Sequence, residues 1–306
     1  MLSICIPIYN RDVSRLVTRL HEQAISLDIP VEVFLLDDAS QPALREKNRE
    51  LQSLPLVRYE ELPENIGRSR IRNELARRAI HPRLLFIDCD MAVLNPDFLV
   101  AYVRESMTHE VICGGHTYQQ MKPAPPFLLH WLYGRHRESA PASQRRKKPH
   151  RSFMTSNFVV NRRLFGQLSF NERLDGYGHE DTLFGYHLKQ QGVLVHHVDN
   201  PLMHEGLEPA AVFLDKTRDG LCNLKTIYKM QGNKAEFAKM VKALRAWTVL
   251  KRFYLCRMVS FVFSGCRSTM EKVLAGSQPG LWILDLYKLG VLCGNSAAGK
   301  SRKTHS

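Results

Sequence analysis

Paired cysteines are missing from this sequence. Seven cysteines are scattered at positions 5, 89, 113, 222, 256, 266 and 293, an odd number with no CxxC spacing. That excludes a disulfide scaffold and a cysteine zinc site, and it predicts reduced thiols in a cytoplasmic setting. Long apolar runs are missing too. None approaches the roughly 18 residues that span a bilayer. The opening "MLSICIPIYN" has no basic region and no small-residue cleavage site, so it is expected to be a first strand and not a signal peptide. No internal repeat is present. Acidic residues are scarce in one place only. Residues 216–306 carry 17 Lys+Arg against 4 Asp+Glu, whereas residues 1–215 carry 26 of each, so the whole net charge of +13 sits at the C-terminal end. This asymmetry predicts two parts with different partners, 1–214 and a basic helical extension 215–306.

What is present in residues 1–120 is an alternation of short apolar runs and helical patterns. "LSICIPI" (2–8), "VEVFLLDD" (31–38), "PLVRYEEL" (55–62) and "RLLFID" (83–88) read as strands, the first nearly continuous in apolar residues, as in a strand buried on both faces. Val13, Leu16, Val17 and Leu20 stand at helical spacing, and residues 69–80 form a second helical pattern. Such alternation predicts an α/β domain with a mainly parallel, Rossmann-like sheet. Residues 120–152, with "MKPAPPF" and the basic "SQRRKKPHR", read as a long mobile loop. "LDGYGHEDTLFGYHLKQQG" reads as a glycine-rich loop opening a helix, and "VLVHHVD" as a further strand.

In open parallel sheets, ligands bind beyond the carboxyl ends of the strands. The polar residues collect there: Tyr9-Asn10-Arg11, Asp37-Asp38 and Asp88-Cys89-Asp90. Two carboxylates one residue apart suit a hard divalent cation, Mg²⁺ or Mn²⁺. Taken alone, Asp88 and Asp90 fit a solvated turn equally well. Glu180 and Asp181 at a helix start either complement the helix dipole or supply a general base on a loop that Gly176 and Gly178 let close. His204 is either structural or a metal ligand.

"SICIPIYNR", "LLDDAS", "ENIGRSRIRN", "FIDCDM", "TSNFVVNRRLF", "GHEDTLFGYHL" and "DNPLMH" follow one another in the order and at roughly the spacing of family 2 glycosyltransferases, which this chain resembles over about residues 1–208. The resemblance implies a GT-A fold and an inverting, nucleotide-sugar-dependent enzyme. It implies that Pro7, Tyr9 and Asn10 line the nucleotide pocket and that Asp38 bonds the base, commonly uracil. Asn65, Gly67, Arg72 and Asn73 would sit near the nucleotide and phosphates. Asp88 and Asp90 would be the family's metal-binding DxD, joined by His204. Asp181 looks like the catalytic base and Glu180 like an acceptor contact. The expected donor is a UDP-sugar and the expected acceptor a glycan or lipid-linked glycan, as in polysaccharide biosynthesis. Three departures stand out: arginines follow Asn65-Gly67, a basic run interrupts 145–151, and no QxxRW motif appears. The last favours single transfer over processive synthesis.

Two alternatives remain at this level, a sugar nucleotidyltransferase and a non-catalytic carbohydrate- or membrane-binding protein. "IPIYNRDVSR" lacks the glycine-rich signature of the first, and intact Asp88, Asp90 and Asp181 speak against the second. "GNSAAGKS" (294–301) matches a phosphate-loop pattern, but the strand and long helix that such a loop needs are missing. In "KMVKALRAWTVLKRFYLCRMVSFVFSGC", Leu244, Trp247, Leu250, Tyr254 and Met258 fall near one helical face with basic residues between. That stripe packs on the catalytic domain or lies on an anionic membrane surface, so the expected location is cytoplasmic and peripheral to the inner membrane face. No nucleic-acid-binding module is recognisable.

Overall fold

A computed structural model describes residues 1–174 and 176–294. Its contacts divide the chain into two compact units. The first comprises Met1–Gln119, His136–Arg173 and Phe184–Gly206, and the second Gln120–Arg135, Leu174–Leu183 and the chain from Leu207 onward.

The first unit is built on a seven-stranded sheet. Strands β1 (Leu2–Ile8), β2 (Val31–Asp37), β3 (Val57–Glu61) and β4 (Arg83–Ile87) are parallel, in the order β3-β2-β1-β4. These are the runs read as strands from their apolar sequence; β1, β2 and β4 are buried on both faces because helices cover both, whereas β3, at the sheet edge, is mostly half-buried. Helices α1 (Ser14–Ala24), α2 (Pro42–Arg49) and α3 (Arg68–Arg78) supply the crossovers. One core forms around Leu16, Val17 and Leu20 of α1, and another around Ile71 and Leu75 of α3.

Beyond β4 the parallel pattern stops. Strand β5 (Met91–Val93) and helix α4 (Phe98–Glu105) lead to β6 (Val111–Cys113) and β7 (His116–Thr117). Strand β8 (Asn157–Asn161) inserts antiparallel between β4 and β6, and β9 (Val195–His197) pairs parallel with β6. Strand β10 (Leu202–His204) pairs with β5 and β7 in a small second sheet. Phe158 of β8 is fully buried and stacks on Phe86 at 5.0 Å.

The segment 120–152 is more ordered than its composition suggests. It contains α5 (Leu128–Tyr133) and α6 (Ala142–Arg145). Arg145, within the basic run, is buried, and its guanidinium donates to the carbonyls of Cys113 (2.8 Å), Gly114 (2.9 Å) and Val198 (2.7 Å). A charged group saturated with backbone acceptors is a structural clasp, not a mobile loop. Helix α7 (Arg162–Leu168), capped by the Asn161 side chain, and helix α8 (Glu180–Gln190) follow β8.

The second unit is helical: α5, α9 (Ala210–Met230), α10 (Lys234–Ala238), α11 (Lys242–Arg252), α12 (Cys256–Leu274) and α13 (Leu281–Cys293). Leu129, Phe213, Leu274, Leu284 and Tyr287 form its core. The single apolar stripe read across 244–258 is broken. The helix stops at Arg252, and Tyr254 adopts a left-handed φ of 59°. The chain therefore changes direction, and Leu244 and Trp247 are buried while Tyr254 and Met258 are exposed. The phosphate-loop-like stretch lies, after Gly294, outside the described residues.

Candidate active site

The carboxyl ends of β1, β2 and β4 bring together most of the polar residues singled out in the sequence. Pro7 lies in β1 opposite Leu36. Tyr9 is exposed just beyond the strand, and Asn10 turns with a left-handed φ of 50°. The Asn10 backbone N–H donates to Ser40 Oγ (2.8 Å), and its side-chain oxygen accepts from the Gln41 N–H (2.8 Å). These bonds tie the first loop to the second.

Asp37 and Asp38 point to different tasks. Asp37 accepts from the Ser40 N–H (2.7 Å) and the Tyr59 hydroxyl (3.2 Å), so it is fastened within the fold. Asp38 is buried and accepts from the backbone N–H groups of Ile66 (2.7 Å) and Gly67 (3.0 Å). Burial pushes its carboxyl above the usual range, against the pull of those two bonds. Asp38 thus holds the loop that opens α3, where Gly67 takes a φ of 83° that favours glycine. Asn65 is exposed on that loop.

Arg72 and Asn73 are neighbours on α3 with different partners. Arg72 is 3% exposed in its side chain and donates to Asp88 at 2.5 Å. Asn73 donates to the Phe170 carbonyl (2.9 Å) and to Glu172 (2.8 Å), and accepts from the Phe170 N–H (2.9 Å), so it anchors the turn after α7.

Strand β5 starts one residue after Asp90, and its pairing with β10 sets His204 opposite Met91. This places His204 Nε2 3.4 Å from Asp90 Oδ2. The Glu205 N–H donates to the Asp90 carbonyl (2.8 Å), which locks the register. Burial opposes ionisation of Asp90, yet the bond to His204, then its charge, and then Arg68 and Arg11 hold the carboxyl far below its usual range. His204 moves the opposite way: burial lowers it, but Asp90 carries it above its ordinary value. When the ring is protonated the two groups form an ion pair, and when it is neutral Nε2 has a lone pair to offer. Gly206 packs so close that a Cβ there would sit 2.5 Å from Asp90 Oδ2.

Three neighbours were not visible in the sequence. Tyr118 donates its hydroxyl to Glu138, and His116 Nε2 lies 3.4 Å from the same carboxylate. The Tyr118 ring stands 5.0 Å from the His204 ring. Glu138 therefore adds a carboxylate whose charge acts on His204. It sits in a segment read as loop, and no spacing rule links 138 to 90 or 204.

Glu180 and Asp181 open α8 and belong to the second unit. Asp181 Oδ1 accepts from the Thr182 N–H (2.6 Å), and Glu180 is buried. Gly176 and Gly178 have φ of 83° and 92°. Gly178 packs on Gly220, so that a Cβ on Gly178 would lie 3.2 Å from the Gly220 Cα, and Asn223 donates to the Tyr177 carbonyl (3.2 Å). Both glycines hold turns with a φ that favours glycine, and Gly178 also allows close approach to α9.

A different donor cluster, Glu105, His109 and His196, has ligand atoms within 4.8 Å of one another. It lies at the amino end of β6, where the His109 carbonyl accepts from Arg83 at the start of β4 (3.0 Å). Asp88 is a strand length away, about 16 Å at 3.3 Å per residue.

A sequence model described as "Glycosyl transferase family 2" matches residues 3–168. Among solved structures, the chain is similar to the mannosyltransferase PcManGT from Pyrobaculum calidifontis in complex with GDP-Man and Mn²⁺, at 14% identity over 95% of this chain and 85% of that one, with a TM-score of 0.55. It is similar to glucosyl-3-phosphoglycerate synthase from Mycobacterium tuberculosis in complex with Mn²⁺, UDP and glucosyl-3-phosphoglycerate, at 16% identity over 74% and 79%, with a TM-score of 0.52. TarS 1-349 from S. aureus matches at 17% identity over 87% and 73%, with a TM-score of 0.50. The chain spans 42% of a longer TarS chain. At these identities the likeness is one of fold, here the GT-A fold. A search among curated proteins found no match.

Proposed function

The chain belongs to glycosyl transferase family 2, and from that premise we propose that it transfers one sugar from a nucleoside diphosphate sugar to a hydroxyl of a glycan or lipid-linked glycan, with inversion. It is a glycosyltransferase by family, and the nucleotidyltransferase alternative finds no support. A UDP-sugar is the favoured donor. TarS structures contain UDP or UDP-GlcNAc and the mycobacterial synthase UDP, while PcManGT holds GDP-Man.

The observation that carries this reading is the Asp90–His204 pair at the strand ends, with Asp88 held behind it by Arg72. The donor set fits a divalent cation. Asp90 offers oxygen, His204 offers nitrogen, and Gly206, with no Cβ, lets the backbone lie against Asp90 without displacing its carboxylate. An imidazole ligand suits Mn²⁺ better than Mg²⁺. Asp90 and His204 would hold the ion, with Asp88 beside them. When bound, it supplies positive charge for the departing diphosphate. Pro7, Tyr9 and Asn10 line the nucleotide, Asp38 bonds the base, and Asn65, Gly67, Arg72 and Asn73 shape the phosphate side. Asp181 accepts the acceptor's hydroxyl proton as the oxygen attacks the anomeric carbon. The bond to the diphosphate breaks with its electron pair leaving on the nucleotide, which inverts that carbon. Glu180 contacts the acceptor. The acceptor belongs to polysaccharide biosynthesis at the inner face of the cytoplasmic membrane.

Calorimetry with UDP and GDP, with and without Mn²⁺, tests the donor and the metal together. Mn²⁺-dependent UDP binding is expected. Asp90→Ala should weaken it by more than the roughly 10- to 100-fold that loss of a ligand's supporting partner costs. Unchanged Mn²⁺-dependent affinity in Asp90→Ala removes the metal assignment, and absence of any nucleotide binding removes the donor assignment.

A further inference from the structure

Among the described residues, the corner between α11 and α12 carries the densest group of exposed apolar side chains. Phe253 is 65% exposed, Tyr254 90%, Met258 58%, Phe261 81% and Val262 60%. Exposed apolar residues such as Ile25, Leu56 and Ile80 occur singly, which is ordinary for a protein surface, and α13 exposes the pair Trp282 and Leu286. Met258, Phe261 and Val262 are at i, i+3 and i+4, so they share one face of α12. The opposite face is already satisfied. Phe263, Met270 and Leu274 pack with Leu284 and Tyr287, and Phe263 lies against Gly290, where a Cβ would have no room. α12 is therefore a seated helix with a second apolar face that is unpartnered among the described residues.

Tyr254 adds an independent sign. A left-handed φ of 59° is strained for an aromatic residue, and here nothing packs on the ring in return. The strain turns Phe253 and Tyr254 outward beside the exposed face. Lys251, Arg252 and Arg257 flank them, and the last 91 residues hold the entire +13 net charge. A second copy of so basic a surface would repel this one, whereas an anionic lipid surface attracts it. No described helix is long and apolar enough to cross a membrane.

We propose that the α11–α12 corner is an interfacial docking surface for an anionic bilayer, with Phe253, Tyr254 and the outer face of α12 entering the headgroup region and Lys251, Arg252 and Arg257 contacting lipid phosphates. The placement of a lipid-linked acceptor there rests on the function proposed above. The surface itself does not.

The test is co-sedimentation of the full chain with vesicles of equal parts phosphatidylglycerol and phosphatidylcholine, or of phosphatidylcholine alone. Nucleotide-sugar hydrolysis is measured on the same samples. Binding should favour the anionic vesicles, and high salt should release most but not all of it. The triple variant Lys251→Glu/Arg252→Glu/Arg257→Glu should bind on the order of a hundredfold more weakly. Phe253→Ser/Tyr254→Ser/Phe261→Ser should lose the salt-resistant fraction. Both variants should keep wild-type hydrolysis, because none of these residues belongs to the proposed site. Equal binding to both vesicle types, or undiminished binding by both variants, overturns the surface. So does a concentration-dependent dimer that the serine variant abolishes, since a second copy would then be the occupant. Loss of hydrolysis in the wild-type chain would count against the proposed function and leave the docking result intact.

Discussion

The sheet-bearing unit and the C-terminal helices solve the burial problem in opposite ways. In the first, the central apolar strands are covered on both faces, polar residues are pushed to the strand ends, and residues 1–215, which contain it, carry equal numbers of basic and acidic side chains. In the second, a small core is wrapped by helices that leave aromatic and aliphatic side chains in water under an excess of basic residues. A sheet edge and its loops concentrate chemistry at one end. A helix with two apolar faces has satisfied one partner and still has surface for another.

The largest expected effect asks whether the second unit takes part in chemistry at all, since Asp181 belongs to it. Asp181→Asn should keep donor and metal binding and lose transfer by about 10²- to 10⁴-fold, the usual worth of a general base. Near-normal turnover would return Asp181 to a helix-start role. Glu180→Gln is the companion variant, expected to raise the KM for acceptor more than it lowers kcat.

Stability sharpens the contrast between the two kinds of phenylalanine. Phe158 is fully buried and Phe261 is 81% exposed. Phe158→Ala should cost about 3–5 kcal/mol in urea unfolding. Phe261→Ala should stay within about 0.5 kcal/mol, as surface changes do. Similar losses at both positions would mean that the face of α12 is already covered within the chain.

A smaller effect follows from His197 in β9. It accepts from the Arg145 guanidinium (2.7 Å) and bonds the Pro149 carbonyl through Nε2 (2.9 Å). Burial pushes its pKa from 6.5 down to about 4, against the Pro149 bond and with the help of the Arg145 charge. Between those values the unfolded chain binds a proton that the folded chain refuses. Stability is therefore complete above about pH 6.5 and falls as pH drops toward 4, by on the order of 3 kcal/mol from this group. In His197→Gln the slope of unfolding free energy across that window should flatten, and an unchanged slope would assign it to other groups.

Much of this architecture was legible from neighbouring residues alone. The four parallel strands, the helices between them and the helical C-terminal part follow from apolar runs and their periods, which depend on residues a few positions apart. The crowding of Asp38, Asp88 and Asp90 at strand ends follows from the same local reading. The positions of β5, β8 and β10 do not, because short strands carry little period. Their pairing depends on segments far away in the chain, and that pairing alone sets His204 against Asp90 and admits Tyr118 and Glu138 to the neighbourhood. Composition marked 120–152 as loop, yet Arg145 finds buried carbonyl partners there that no local rule could supply. In the C-terminal part the period was right and the continuity wrong. The left-handed Tyr254 ends one helix and starts another, so residues in one stripe by spacing separate into a buried pair and an exposed pair. Spacing decides which residues can share a face, and only the packed chain decides which way that face turns.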